Sequence, residues 1–189
     1  ILACALFFSF QISLAQQINT DSLLLQAYES LKQKEYSGAL KQAHLGKKIS
    51  PEYLDFQVLI GRVHQLTNQR DSARFYLNRV LEKNTAYEEA FLYLINLELE
   101  TENYEHAERV INNAITIHPE NKNFRFKKLQ LYQSKESLES ERTYLKQLST
   151  LYPETSALKQ RIFWLDSRFN SNRIGLQYSL TSLHRDGVG

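Results

Sequence analysis

The chain has 189 residues, a formal net charge of +2 and one cysteine, a length that suits one compact or elongated domain. Acidic and basic residues are interspersed and no long basic run occurs, which argues against nucleic acid as a partner. A single cysteine also excludes a disulfide framework within the chain.

Residues 1–15, ILACALFFSFQISLA, are apolar and carry no charge. They fall short of the ~20 apolar residues that a membrane-spanning helix needs. The small residues Ser13 and Ala15 match a secretory cleavage site, so we predict an N-terminally truncated signal peptide cut before Gln16. The alternative is a lipoprotein anchor at Cys4, which its preceding residues fit poorly. Cleavage removes Cys4 and leaves no thiol nucleophile or thiolate metal site.

The prolines mark a repeat with a regular period. The distance from Pro119 to Pro153 is one period, and Pro51 lies two periods before Pro119. The regular series of positions 51, 85, 119 and 153 has one member that is not proline, Thr85. Because proline interrupts helices, the spacing indicates a helical unit with a break at a fixed place. The period, about 34 residues, is the length of a known helix–turn–helix repeat.

Two further sets of positions are spaced by the same period and carry small residues. We call each such set a column. Ala27 and Gly61 belong to one column, and Ala39, Ala73 and Ala107 belong to the other. At these positions the two helices of a unit are expected to approach closely, because bulk there would overpack the contact. The stretches EYSGALKQA, QRDSARFYL and NYEHAERVI carry the pattern, and together these columns resemble the tetratricopeptide repeat (TPR), whose signature is small–aromatic–small–proline.

The resemblance implies an all-α, right-handed superhelix of about four helix–turn–helix repeats and a capping helix. We predict a repeat domain over 16–170, with repeats at 20–53, 54–87, 88–121 and 122–155 and a capping helix at 155–169. The first helices are predicted at 21–33, 54–67, 87–101 and 121–134, and the second helices at 36–49, 70–83, 104–117 and 137–151. Trp164 and Phe169 are expected to cover the open end of the stack.

The fourth unit departs from the pattern. Glu141 stands where the other units have alanine, and Lys128 replaces Gln26, Ile60 and Leu94. We expect this unit to pack loosely, or against something C-terminal that the other units do not meet.

The segment 171–189 changes character. Apolar residues alternate at Ile174, Leu176, Tyr178 and Leu180, a period of two that predicts a strand. A secreted repeat stack followed by this strand resembles the YaiO-type outer-membrane β-barrel proteins of Gram-negative bacteria, and the chain would then be a fragment that stops after the first barrel strand. The alternatives are a strand of another β domain and a tail.

Residues for catalysis or metal binding are not grouped in this sequence. No two histidines are spaced as a helical metal pair, and no phosphate-binding glycine loop or Gly-x-Ser-x-Gly elbow occurs. We therefore predict no catalytic residue, no metal site and no cofactor.

The remaining candidate is the groove that the first helices line in the TPR family. The resemblance places the following residues there: Tyr28, Leu31, Val58, Arg62, Gln65, Leu92, Asn96, Leu99, Phe126, Gln130 and Gln133. This amphipathic set suits an extended peptide or a glycan chain, and the alternative is that these residues only pack between units or face water. The lysine and arginine pattern of the carboxylate-clamp subfamily is missing, which argues against capture of an anionic chain end.

These observations predict a non-enzymatic protein-interaction scaffold, exported across the inner membrane of a Gram-negative bacterium and attached to an outer-membrane barrel. Alternatives are the repeat arm of a polysaccharide-export protein, a soluble secreted adaptor, and the docking arm of an enzyme whose chemistry lies outside this chain.

Overall fold

The structure is a computed structural model that describes residues 19–185, with side chains through Asn170. The described residues form nine α-helices and no strand. Their bounds are α1 Thr20–Lys32, α2 Tyr36–Ile49, α3 Asp55–Leu66, α4 Arg70–Lys83, α5 Glu88–Glu100, α6 Tyr104–Ile117, α7 Lys122–Ser134, α8 Leu138–Leu151 and α9 Ser156–Arg185. For α1–α8, every predicted helix boundary agrees with the structure to within one residue.

The predicted period is visible in the backbone. The second helices begin at equal intervals of one repeat, at Tyr36, Arg70, Tyr104 and Leu138. The turn inside each unit carries one residue in the left-handed region, with φ between 52° and 62°, and these residues are Lys34, Asn68, Glu102 and Glu136. A left-handed residue just after a helix ends it and redirects the chain, so one turn geometry serves all four units.

The small columns lie where helices approach most closely. Ala27, Ala39, Ala73 and Ala107 have no exposed surface. A Cβ added to Gly61 of α3 would lie 2.9 Å from Cγ of Leu77 on α4, which confirms the predicted close contact within the unit. Between units, a Cβ on Gly46 would lie 2.1 Å from Cε1 of the buried Phe56 ring.

Apolar side chains between successive helices form the core. One cluster joins the first two units around Phe56 and Leu59, and a second runs from Val58 through Phe91 to Phe124 and Leu131. A third, around Leu145 and Leu165, joins the fourth unit to α9. Because each helix packs mainly on its neighbours along the chain, the predicted all-α stack of helix–turn–helix units is confirmed.

The prolines lie in the turns between units, two residues after α2, α6 and α8 end. The residue before each proline has φ between −121° and −130° with positive ψ, an extended conformation that proline favours in its predecessor. Asn84, before Thr85, has the same extended geometry, with φ −137° and ψ 98°. Asn84 therefore has the conformation that a proline at position 85 requires of its predecessor.

Thr85→Pro is expected to raise the free energy of unfolding by about 0.4–1 kcal/mol, because proline restricts the unfolded chain without straining this turn. The Thr85 N–H donates no hydrogen bond within residues 19–185, so the substitution removes none. Urea unfolding would measure the gain. Thr85→Ala is the matched control for loss of the side chain, and a proline variant no more stable than that control would contradict the expectation.

Glu141, which replaces the alanine of the other units, has a specific partner in α9. Glu141 is 1% exposed and accepts hydrogen bonds from Arg161 of α9, Nε to Oε1 at 2.8 Å and Nη2 to Oε2 at 2.9 Å. Gln133 of α7 donates to the same carboxylate at 2.9 Å. The second expectation for this unit, packing against a C-terminal element, is the one that the structure supports.

Different residues of α9 from those predicted cover the C-terminal end of the stack. Leu158 and Leu165 of α9 are buried, and Phe169 packs against their cluster. Trp164, expected to be part of the cover, is 44% exposed and stacks with Arg161 and Arg168, whose guanidinium carbons lie 4.4 and 5.4 Å from its ring.

The predicted C-terminal strand is wrong, because residues 174–180 lie within α9. A strand needs a neighbour for its backbone hydrogen bonds, and the described chain offers none, whereas a helix bonds its own N–H and C=O groups. The resemblance to an outer-membrane barrel depended on these residues and so loses its structural support. The predicted signal peptide, residues 1–15, lies outside the described residues. Among residues 19–185 we find no helix that combines the length and hydrophobicity needed to cross a bilayer.

Candidate binding face

The first helices α1, α3, α5 and α7 lie side by side, and their side chains meet across one face of the stack, which we call the first-helix face. Contacts between side chains of different units identify this face. Arg62 of α3 lies over the Tyr93 ring of α5, with its guanidinium carbon 4.9 Å from the ring centroid. The predicted groove residues are therefore brought together from several units.

Three carboxylates form a row along this face. Asp21, Asp55 and Glu89 occupy the first turns of α1, α3 and α5, at equivalent positions of successive repeats. No lysine, arginine or histidine of the described chain forms an ion pair with any of them. Each carboxylate gains some stabilisation from the positive end of its helix. The row nevertheless leaves three carboxylates that form no ion pair with a described side chain.

Tyrosines alternate with these acids. Hydrogen bonding to Asp21 is the main cause that raises the pKa of Tyr53, and the charges of Asp21 and Asp55 act in the same direction. Tyr93 donates to Glu89 Oε1 at 2.8 Å, and burial together with this carboxylate raises the pKa of Tyr93 to about 12. Burial, and then the charge of Glu89, raise the pKa of the half-buried Tyr28 well above its ordinary value.

Among the three acids of the row, Asp55 has a shifted pKa. Partial burial raises the pKa of Asp55 above its ordinary value, and the Tyr53 hydroxyl offsets this only in part. A carboxylate removed from water and left without a cation is held at a cost in free energy. A positively charged group from another molecule would remove that cost.

Farther along the face, the polar side chains are paired with one another. Arg62 donates to Gln65 Oε1 at 2.8 Å, and Gln65 donates to Glu100 Oε2 at 2.8 Å. Burial lowers the pKa of Lys127, while the charge of Glu100 acts in the opposite direction. These polar groups lie near the C-terminal ends of α3 and α5 and on α7, so the carboxylates without ion-pair partners are those at the N-terminal first turns of α1, α3 and α5.

The predicted groove residues differ in their access to a ligand. Tyr28, Arg62, Leu92 and Asn96 are partly exposed. Val58 is fully buried in the core and offers no surface, because it packs between units. Two further predicted groove residues, Phe126 and Gln130, lie on α7. Phe126 packs against Tyr152 with ring centroids 5.9 Å apart, and the exposed Gln130 accepts a hydrogen bond from Lys127.

A buried ionic network joins the second and third units. Glu98 of α5 has no exposed surface and receives Arg74 Nε at 2.7 Å, Asn103 Nδ2 at 2.8 Å and His106 Nδ1 at 3.1 Å. Burial alone would raise the pKa of Glu98, but hydrogen bonds from Arg74 and its other partners bring it below the ordinary value. Because the carboxylate is inaccessible and fully occupied, we assign it a structural role.

Within the described residues, no group of three or more histidine, cysteine, aspartate or glutamate side chains has the geometry of a metal site. The acids of the first-helix face project from separate helices and are interleaved with tyrosines.

Comparison with known proteins identifies the class of fold. The structure matches a tetratricopeptide repeat protein from Parabacteroides merdae with a TM-score of 0.66 at 15% identity, covering 86% of this chain and 64% of that one. It matches MamA from Desulfovibrio magneticus with a TM-score of 0.65 at 14% identity, covering 90% and 97% of the two chains. The fold is therefore the predicted TPR-like superhelix.

A third match is an O-GlcNAc transferase from Thermobaculum terrenum, with a TM-score of 0.59 and 14% identity. It covers 70% of this chain and 26% of that protein. The present chain thus spans less than two thirds of the Parabacteroides protein and about a quarter of the transferase. No family model and no curated protein sequence matches the chain. These identities establish the fold alone.

Proposed function

We propose that the chain is a non-enzymatic interaction scaffold whose first-helix face binds an extended, positively charged segment of a partner protein. The observation that carries the proposal is the row of Asp21, Asp55 and Glu89, none of which forms an ion pair with another described residue. TPR-like folds are scaffolds of stacked units whose concave surfaces suit extended ligands. The acidic row specifies the charge of such a ligand here.

The tyrosines favour the same partner. Tyr28, Tyr53 and Tyr93 are partly exposed beside the carboxylates. Aromatic rings attract lysine and arginine side chains, and carboxylates accept their hydrogen bonds, so a basic side chain meets both kinds of group in one place. Arg62 over Tyr93 shows this contact within the chain itself.

The size of the row sets the length of the ligand. Packed helices lie ~10 Å apart, so three neighbouring first helices span about 20 Å. An extended peptide covers this distance with about six or seven residues at ~3.3 Å each. The three acids then alternate with ligand side chains at a spacing of about three residues, which predicts basic residues at intervals along the peptide.

The test is selection from a library of random peptides of about ten residues displayed on phage and captured by the purified chain. We expect lysine and arginine to be enriched at spaced positions. Selection of acidic peptides, of uncharged peptides only, or of none would overturn the proposal. An immobilised panel of acidic and neutral oligosaccharides, tested in parallel, would instead favour the glycan alternative if it alone retained the chain.

Single substitutions locate the site. Asp55→Asn and Glu89→Gln are each expected to weaken a selected peptide about tenfold, the loss of one charge-assisted hydrogen bond. Glu105→Gln is the matched control, because Glu105 is also a first-turn acid but is exposed and lies on the second helix α6. Equal effects of Glu89→Gln and Glu105→Gln on affinity, measured by fluorescence anisotropy, would show that the peptide does not bind at the row.

For location, we infer export across the inner membrane, and the support is the signal-peptide pattern of residues 1–15. With an initiating methionine and a basic leader restored before residue 1, a fusion of the chain to alkaline phosphatase is expected to be active, since that enzyme needs the oxidising periplasm. Deletion of residues 1–15 should abolish the activity. Attachment to an outer-membrane barrel has only the resemblance of residues 172–181 behind it, and those residues are helical here.

A further inference from the structure

The two ends of the repeat stack expose large apolar side chains at positions that are buried inside it. At the first end, Leu25 of α1 is 70% exposed, whereas Leu59, its equivalent one repeat later, has no exposed surface. Leu59 packs in the core that joins the first and second units. Leu25 is exposed because no described unit precedes α1.

The other end shows the same feature. Phe163 of α9 is 76% exposed, and it lies one repeat after Leu129, which is 7% exposed. The earlier members of this column, Ala27 and Ile95, are fully buried. In units one to four the column is covered by neighbouring helices of the stack, but among residues 19–185 no second helix follows α9 to cover Phe163.

The charges at the two ends are opposite. The sequence of α1 contains two acids, Asp21 and Glu29, and one base, Lys32, which lies 3.9 Å from Glu29 at an exposed position. The part of α9 with described side chains contains three bases, Lys159, Arg161 and Arg168, and one acid, Asp166. Arg168 forms no ion pair with a described residue and lies over Trp164. An acidic, apolar end and a basic, apolar end therefore occur on one molecule.

We propose that the two ends bind each other between copies, so that α1 of one chain packs against α9 of the next. We define the N-terminal end face as Leu25 and Glu29, and the C-terminal end face as Phe163, Trp164 and Arg168. A repeat stack grows by covering the apolar side of its last unit with another unit, and a second copy supplies that cover. The occupant of each face is thus the opposite face of a second copy.

Such a contact is heterologous, so it leaves a free face at each end of the dimer and permits further growth. The faces are small, and interfaces of this size are weak and transient. Association is therefore expected at about 100 µM protein and absent at about 1 µM. The contact leaves Asp55 and Glu89 of the first-helix face open, so loss of self-association and loss of peptide binding can be measured separately.

The experiment is sedimentation velocity on the whole chain over this concentration range. The wild-type protein is expected to form dimers and larger species as concentration rises. Leu25→Lys and Phe163→Glu each place a repelling charge on one face and should each give monomers. Both side chains are exposed, so neither change disturbs the core, and circular dichroism checks that the fold is retained. Leu66→Lys, at an exposed leucine in the middle of the stack, is the matched control and should associate like wild type.

Mixing the two variants decides the geometry. The Leu25→Lys chain keeps its C-terminal end face and the Phe163→Glu chain keeps its N-terminal end face, so the mixture should form a 1:1 dimer and nothing larger. Association that survives Leu25→Lys but not Phe163→Glu would mean a symmetric contact between C-terminal ends and would overturn the proposal. A wild-type chain that stays monomeric throughout, or a mixture that forms no dimer, would also overturn it.

Discussion

Ala73→Trp and Ala107→Trp are each expected to lower the stability of the stack more than any substitution at an exposed position. Both alanines are fully buried on second helices, and the Ala73 carbonyl oxygen would lie 3.5 Å from a Cβ on Gly61. Overpacking by a few methylenes costs about 1–3 kcal/mol, and an indole is larger than that. We expect a loss of ~3 kcal/mol or more, which lowers Tm by about 10 °C in a chain of this size.

Thermal melting followed by circular dichroism measures this effect. Glu82→Trp is the matched control for Ala73→Trp, because it places the same indole at a surface position of α4. The control should melt close to the wild type. If both alanine variants melted as the wild type does, the assignment of these positions to the contact between helices of one unit would be wrong.

Glu98→Ala is expected to cost about 3 kcal/mol, the lower end of the range for breaking a buried ion pair by removing one partner. The substitution leaves Arg74, His106 and Asn103 without their shared acceptor. Arg74 keeps one partner, Asp71, at 3.0 Å, which is why we expect the lower end of the range. Urea unfolding at about pH 7 would give the value.

The variant Glu98→Leu with Arg74→Leu separates loss of the charge pair from loss of a single partner. Replacing both members by apolar residues should restore most of the stability lost in Glu98→Ala, because no unpaired charge then remains. A double variant as unstable as Glu98→Ala would show that packing around Glu98, rather than its charge, causes the loss.

The same network predicts sensitivity to acid. Arg74 and the other donors to Glu98, and Arg161 and Gln133 at Glu141, outweigh burial and hold the pKa of both carboxyls below the ordinary value of 4.5. A depressed native pKa stabilises the fold fully above the unfolded-state pKa, and that stabilisation is lost as pH falls through the native pKa. Stability should therefore fall as pH drops below about 4.5. The fall should be smaller in Glu98→Gln, measured by urea unfolding, and an equal fall in both proteins would contradict this assignment.

Much of the fold follows from the sequence because each unit repeats the same physical solution. Small residues recur at positions such as Gly61 and Ala73, where two helices pack closely. Prolines such as Pro51 and Pro119 recur in the turns, because proline cannot continue a helix. The left-handed residues of the turns were not predictable in the same way. Asn68 has the appropriate chemistry, but Lys34, Glu102 and Glu136 adopt this conformation because the turn requires it.

The error at the C-terminus has a physical cause. Alternating apolar residues at 174–180 favour a strand only if a second strand is present to pair with it. The helix that begins at Ser156 continues through this segment and satisfies its backbone locally. Alternation over so few residues was therefore outweighed by the continuity of the helix.

The candidate site was only partly visible in the sequence. Tyr28 and Arg62 were predicted for the groove by their repeat positions, but the acidic row was missed. Its signal was available, because Asp21, Asp55 and Glu89 are spaced by one repeat each. First-turn acids are common at helix N-termini, however, and only the structure shows that these three lack cationic partners among the described residues.

Charge inversion of the acidic row tests the central claim, that its negative charge selects the partner, most directly. We would measure by fluorescence anisotropy the affinities of a selected lysine-rich peptide, and of its copy with glutamate at each lysine, for wild type and for Asp55→Lys with Glu89→Lys. Glu105→Lys with Glu139→Lys, at first-turn acids of α6 and α8, is the matched control. The wild type and the control should prefer the basic peptide, and the inverted row should prefer the acidic one. An inverted row that bound the basic peptide as tightly as wild type would contradict the account.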